Sequence, residues 1–68
     1  MSYVICRKSF GTDGMYLSEG NSNQIAWDYE GSAVKFSLLS QAERTLVSIR
    51  ARFNLKDTKR IKYFVTSL

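Results

Sequence analysis

Residues 37–54 read SLLSQAERTLVSIRARFN, and this stretch decides the fold. Its apolar side chains recur every three or four residues, which places them in one stripe along an α-helix. The stripe consists of Leu39, Ala42, Leu46, Ile49 and Phe53. We therefore expect a helix of about 15 residues whose stripe forms part of the core.

Polar residues mark both ends of this helix. Ser37 is the expected N-cap, because Leu38 and Leu39 then fall in the first turn. Ser40 offers another start, since Ser40 and Glu43 have the spacing of a capping box. Asn54 tolerates a left-handed backbone and is expected to end the helix.

Four strands are expected around the helix, at residues 3–9, 15–18, 25–29 and 61–66. The first has β-branched and aromatic residues side by side, which is typical of a strand covered on both faces. A turn containing Gly11, Asp13 and Gly14 then predicts a hairpin between the first two strands. The third and fourth strands alternate apolar and polar residues, as half-buried strands do. Phe36, in the link to the helix, is expected to lie under that helix.

These elements predict an α+β fold with the order βββαβ, in one domain that spans residues 1–68. The sheet is expected to be four-stranded and mostly antiparallel, with the helix packed on one face. The last strand is expected beside the first, because the first strand looks central. The expected core contains Val4 or Ile5, the helix stripe and Val65.

The chain lacks the residues that most catalytic and metal sites use. Cys6 is the only cysteine and there is no histidine, which excludes an internal disulfide and the usual general base. Cys6 is expected to be a small apolar residue of a buried strand. Asp28 and Glu30 stand two apart at the end of the third strand and could pair as acid and base, although alternating acids on an edge strand are ordinary. We expect no enzyme activity, cofactor or metal.

Targeting signals are not evident in the sequence. Arg7 and Lys8 follow the first apolar residues at once, so that run is too short for a secretion signal. No run approaches the roughly 20 apolar residues that cross a bilayer. Together with the lone cysteine, these features predict a cytoplasmic protein with no membrane partner.

Positive charge is concentrated at one end of the chain. Residues 1–49 carry four basic and five acidic residues, for a net charge of −1, whereas residues 50–68 carry six basic residues and one acidic residue, for a net charge of +5. The basic cluster contains Arg50, Arg52, Lys56, Lys59, Arg60 and Lys62. It is the candidate partner-binding site, for phosphate or for an acidic protein surface. Cations near the C-terminal end of a helix interact favourably with its dipole. Part of the cluster could therefore be a solvated face that needs no partner.

Aromatic residues are frequent in the expected strands. A single helix covers only one face of the sheet, so some of these side chains should lie on the uncovered face. There they could stack on nucleic-acid bases, as in RNA-recognition folds, or contact a second copy of the chain in a homodimer. The residues concerned are Tyr3, Phe10, Tyr16, Trp27, Tyr29, Tyr63 and Phe64.

The run WDYEGSAVKFSLLSQAER at residues 27–44 follows a YVI opening strand and a YL second strand, and this arrangement resembles small bacteriophage accessory proteins. The shared order is strand, strand, tryptophan-containing strand, A-x-x-F-S, helix, strand, over nearly the whole chain. Such proteins include many of unknown function and some inhibitors of host machinery, among them anti-CRISPR proteins. Many of those inhibitors are acidic DNA mimics, whereas this chain is basic and would obstruct a surface in another way.

The resemblance implies a non-catalytic, phage-encoded binding protein that occupies a surface of a host protein or ribonucleoprotein in the bacterial cytoplasm. An anti-CRISPR or other host-defence inhibitor is one form of this hypothesis. A small basic nucleic-acid-binding module is the alternative, and a homo-oligomeric structural protein is the second alternative.

Overall fold

The computed structural model describes residues 2–11, 14–18 and 25–68. Its strands are β1 (Tyr3–Ser9), β2 (Met15–Ser18), β3 (Ala26–Asp28) and β4 (Ile61–Ser67). A short 3-10 helix (Glu30–Ser32) and an α-helix, α1 (Leu39–Phe53), stand between β3 and β4. The predicted βββαβ order and the α+β class are confirmed.

The four strands form one antiparallel sheet in the order β3-β2-β1-β4. The prediction that the last strand lies beside a central first strand is confirmed, because β4 pairs with β1 along its whole length. The predicted hairpin between β1 and β2 is also confirmed. Thr12 and Asp13 of its expected turn lie outside the described residues, as do residues 19–24.

Residues 33–36 make hydrogen bonds to both β1 and β2. The N–H of Phe36 donates to the oxygen of Tyr3 and the N–H of Tyr3 donates to the oxygen of Phe36, both at 2.8 Å. On the other side, the N–H of Val34 donates to the oxygen of Leu17 at 2.9 Å. The two strands pair directly only near their hairpin, at Cys6–Tyr16 and Arg7–Met15. The half-buried Phe36 is therefore held by backbone pairing with β1 just before the helix begins.

The core centres on β1. Val4 and Ile5 are both fully buried, and adjacent strand residues point to opposite faces, so β1 is covered on both sides as predicted. Cys6, Leu17 and Ala42 are the other buried apolar residues in the described part of the chain. Helix α1 contacts β4 and β1.

The predicted helix stripe is only partly in the core. Ala42 is fully buried, whereas Leu46, Ile49 and Phe53 are half-buried, as is Val65 of β4. Leu39 is 44% exposed, so its assignment to the core was wrong. Leu39 is the first residue of the helix, one turn before Ala42, and close packing of α1 begins only at that small residue.

The start of α1 differs from both predicted caps. Leu38 is the N-cap, with an extended backbone (φ −120°, ψ 136°) and no side-chain cap hydrogen bond. The Ser37 cap and the capping box of Ser40 were therefore wrong, because Ser40 already lies inside the helix. The predicted end is confirmed: Asn54 is left-handed, at φ 55° and ψ 44°, and its N–H donates to the oxygen of Arg50.

Strand β3 is shorter than predicted. The carboxylate of Asp28 accepts a hydrogen bond from the N–H of Tyr29 at 2.7 Å, and the 3-10 helix begins at Glu30. Asp28 and Glu30 therefore do not stand on one strand as paired carboxylates would. Within the described residues, no helix is both long and apolar enough to span a membrane.

Candidate functional site

The pairing of β1 with β4 places basic residues from opposite ends of the chain side by side. Lys8 lies directly opposite Lys62, and Cys6 lies directly opposite Phe64. Residues two apart on a strand share a face, so Lys8, Lys62 and Phe64 all project from the same face of the sheet. All three are exposed, which leaves this face open at the end of the β1–β4 pair.

A groove of about 490 Å³ occupies this end of the sheet. We call it the basic groove, and it is lined by Lys8, Ser9, Phe10, Gly11, Lys59, Arg60, Lys62 and Phe64. Every charged residue in that lining is a cation. Phe10 is 85% exposed and Phe64 is 38% exposed, so two apolar ring surfaces stand among four positive charges.

The loop before β4 is held by local hydrogen bonds that fix the backbone from which its cations project. The hydroxyl oxygen of Thr58 accepts hydrogen bonds from the N–H groups of Arg60 and Ile61, at 3.1 and 3.0 Å. The N–H of Thr58 in turn donates to the oxygen of Ile61 at 2.8 Å. The N–H of Phe10 donates to the oxygen of Arg60 at 2.7 Å, which ties the end of β1 to this loop.

Asp57 is the acidic residue nearest in the sequence to Lys59, Arg60 and Lys62, but its carboxylate contacts other groups. Its carboxylate accepts a hydrogen bond from the N–H of Tyr63 at 3.0 Å and lies 3.6 Å from the guanidinium of Arg50. Asp57 is not among the residues that line the basic groove. Among the described residues, the lining therefore presents positive charge without a carboxylate to offset it.

The facing lysines are unfavourable for the fold itself. Like charges directly opposite each other on a sheet are destabilising, by an amount comparable to the roughly 0.2–1 kcal/mol that a favourable cross-strand pair contributes. An apolar ring as exposed as that of Phe10 also leaves its hydrophobic surface in water. Features that reduce the stability of the fold, such as facing lysines and an exposed ring, are expected where a surface serves binding.

The predicted basic cluster is divided by the structure. Lys59, Arg60 and Lys62 are brought together in the basic groove. Arg50 forms the ion pair with Asp57, and the guanidinium of Arg52 lies 5.5 Å from the ring centre of Phe53. Lys56 is exposed, and the groove lining does not include it.

Sequence reasoning missed Lys8 as a member of the site and did not connect Phe10 to the cluster. Both belong to the first ten residues, about fifty positions away from the other cations. The expected pairing of β4 with β1 would have placed Lys8 and Phe10 beside the cluster if the register of the two strands had been known.

Comparison of the chain with protein-family models, curated proteins and solved structures finds no match. The resemblance to bacteriophage accessory proteins therefore stays a prediction.

The other candidate features have ordinary structural environments. Cys6 is buried in β1, and its burial raises the pKa of the thiol, while nearby Lys8 acts in the opposite direction. Trp27 and Tyr63 pack against each other with ring centres 5.6 Å apart. In the described part of the chain, no group of three or more His, Cys, Asp or Glu side chains could hold a metal ion.

Proposed function

We propose that this chain is a non-catalytic binding protein that holds an anionic partner in the basic groove. The observation that carries the proposal is the facing pair of Lys8 and Lys62, which is flanked by the exposed rings of Phe10 and Phe64. A bound anion would neutralise the repulsion between the two lysines, and a partner that covers the rings would remove their apolar surface from water.

The identity of the partner can be narrowed by two separate lines of support. The resemblance to phage accessory proteins favours a host protein or ribonucleoprotein, in which case the chain would act as an inhibitor by occupying that surface. The basic groove favours a partner that carries closely spaced negative charges. A ribonucleoprotein satisfies both, because its RNA supplies the charge.

Charge reversal at Lys62 tests the proposal by affinity for heparin, a polyanion without protein or bases. Lys62→Glu is expected to weaken binding by about ten-fold or more, because hydrogen bonds to charged groups contribute roughly 1.5–3 kcal/mol. Arg44→Glu is the matched control, since Arg44 is an exposed cation of α1 and the substitution changes the net charge equally. Equal losses in the two variants would show that only the net charge matters and would contradict the groove.

The same variant should become more stable while it binds less well. Glu at position 62 would face Lys8 as an opposite charge, a cross-strand arrangement that contributes roughly 0.2–1 kcal/mol. We expect urea unfolding to show a gain of that size for Lys62→Glu and no comparable gain for Arg44→Glu. A loss of stability in Lys62→Glu would mean that the two lysines do not repel each other across the strands.

A further inference from the structure

We infer that the basic groove binds single-stranded nucleic acid, with a base stacked on the ring of Phe10 and neighbouring phosphates held by the groove cations. This inference rests on the proposed function, because it names the chemical class of the anionic partner. It differs from that proposal by assigning a role to the exposed rings as well as to the charges.

The charges fit a polymer of phosphates. Lys8 and Lys62 face each other on the paired strands, and Lys59 and Arg60 come from the loop beside them, so three segments of the chain each bring cations to the groove. A phosphate chain that runs along the groove would meet several of them in turn. Lys and Arg contacts of this kind supply most of the sequence-independent affinity of proteins for nucleic acids.

The rings distinguish nucleic acid from other anions. Every base has a flat aromatic face, and stacking on a protein side chain needs an exposed ring beside the path of the backbone. Phe10 meets that requirement, since 85% of it is exposed and it lines the same groove as the cations. Phe64, on the adjacent strand, offers a second apolar surface in the groove.

A single strand fits these features better than a duplex or an acidic protein. Bases within a duplex are already stacked on one another, so an exposed phenylalanine gains a partner there only by unstacking them. Carboxylates of an acidic protein would satisfy the cations but give Phe10 no flat partner. The volume of about 490 Å³ also lies within the range of pockets that hold small ligands, which suits one or two nucleotide units of a longer strand.

The test compares two labelled oligonucleotides of equal length by fluorescence anisotropy, one of thymidines and one with abasic sites throughout. Both carry the same phosphates, and only the first carries bases. We expect the native chain to bind the thymidine strand more tightly. Phe10→Ala should weaken that binding by about 5- to 150-fold, the range typical of one lost base–aromatic stack, and should leave binding of the abasic strand nearly unchanged.

Three further measurements keep the result interpretable. Phe10 is largely exposed, so Phe10→Ala should melt at nearly the native temperature, and Val47→Ala, which removes an exposed apolar residue from α1, should bind both strands like the native chain. Affinity for the thymidine strand should also fall with salt, with a logarithmic slope of about −0.7 for each phosphate contact.

The alternative outcomes separate this inference from the proposed function. Equal affinity for the two strands, or tighter binding of polyglutamate than of the thymidine strand, would overturn the inference and leave binding of an anionic partner in place. An absence of binding to both strands, to polyglutamate and to heparin would overturn both proposals.

Discussion

At the scale of single residues, the structure shows how closely β1 and β2 approach where they pair. A Cβ added at Gly14 would lie 2.9 Å from the sulfur of Cys6, closer than real Cβ atoms come to their neighbours. Gly14 does not have a positive φ, so a side chain there is disfavoured by contact with Cys6 and not by backbone strain. The lone cysteine thus acts as a packing residue whose size fits the glycine just before β2.

Gly14→Ala should therefore destabilise the protein by about 1–3 kcal/mol, the usual cost of overpacking a core. Cys6→Ala removes the sulfur that the new methyl group would contact. In urea unfolding, the double variant should cost clearly less than the sum of the two single changes. Strict additivity of the two changes would mean that Gly14 and Cys6 do not contact each other as the structure shows.

At the scale of elements, the sequence predicts the body and the end of helix α1 correctly but not its start. Its apolar spacing and the left-handed Asn54 follow from the sequence, and both are confirmed. Its first residues were predicted wrongly because a serine cap competes with the pairing of residues 33–36 to β1 and β2, which sets where the chain can turn into the helix. The helix consequently begins at Leu39, and its N-cap, Leu38, makes no side-chain cap hydrogen bond.

A better N-cap should make the protein more stable. Leu38→Asp supplies a carboxylate that can accept a free backbone N–H of the first turn, which contributes about 0.5–2 kcal/mol relative to alanine. Leu38→Ala is the matched control, since Leu38 is 56% exposed and both changes remove the same modest apolar contact. Thermal unfolding should rank Leu38→Asp above Leu38→Ala, and the reverse order would place the helix start elsewhere.

The fold and the candidate site differ in how far the sequence predicts them. Periodicity within each segment predicts the four strands and the helix, because those patterns depend on neighbours in the chain. The basic groove depends on the register of β1 against β4, and a slip by one residue would move Lys8 to the other face from Lys62. Local patterns do not determine that register, so half of the site was missed.

At the scale of the whole molecule, the fold gathers positive charge at one end of the β1–β4 pair. A homodimer formed through this face would bring two basic grooves together, and eight like charges would oppose it. Charge repulsion therefore disfavours a homodimer through this face and is consistent with the anionic partner proposed above. The net charge of +4 would also speed encounter with such a partner at low salt.

The most direct test of the central claim is residue-by-residue mapping of binding by ¹⁵N–¹H NMR, with the thymidine oligonucleotide added to the labelled chain. We predict that the largest shift changes occur at the backbone amides of the basic groove, from Lys8 to Gly11 and from Lys59 to Lys62, while amides around Val47 on α1 stay in place. The largest changes on α1, or changes confined to Arg50, Arg52 and Lys56, would contradict the basic groove as the binding surface.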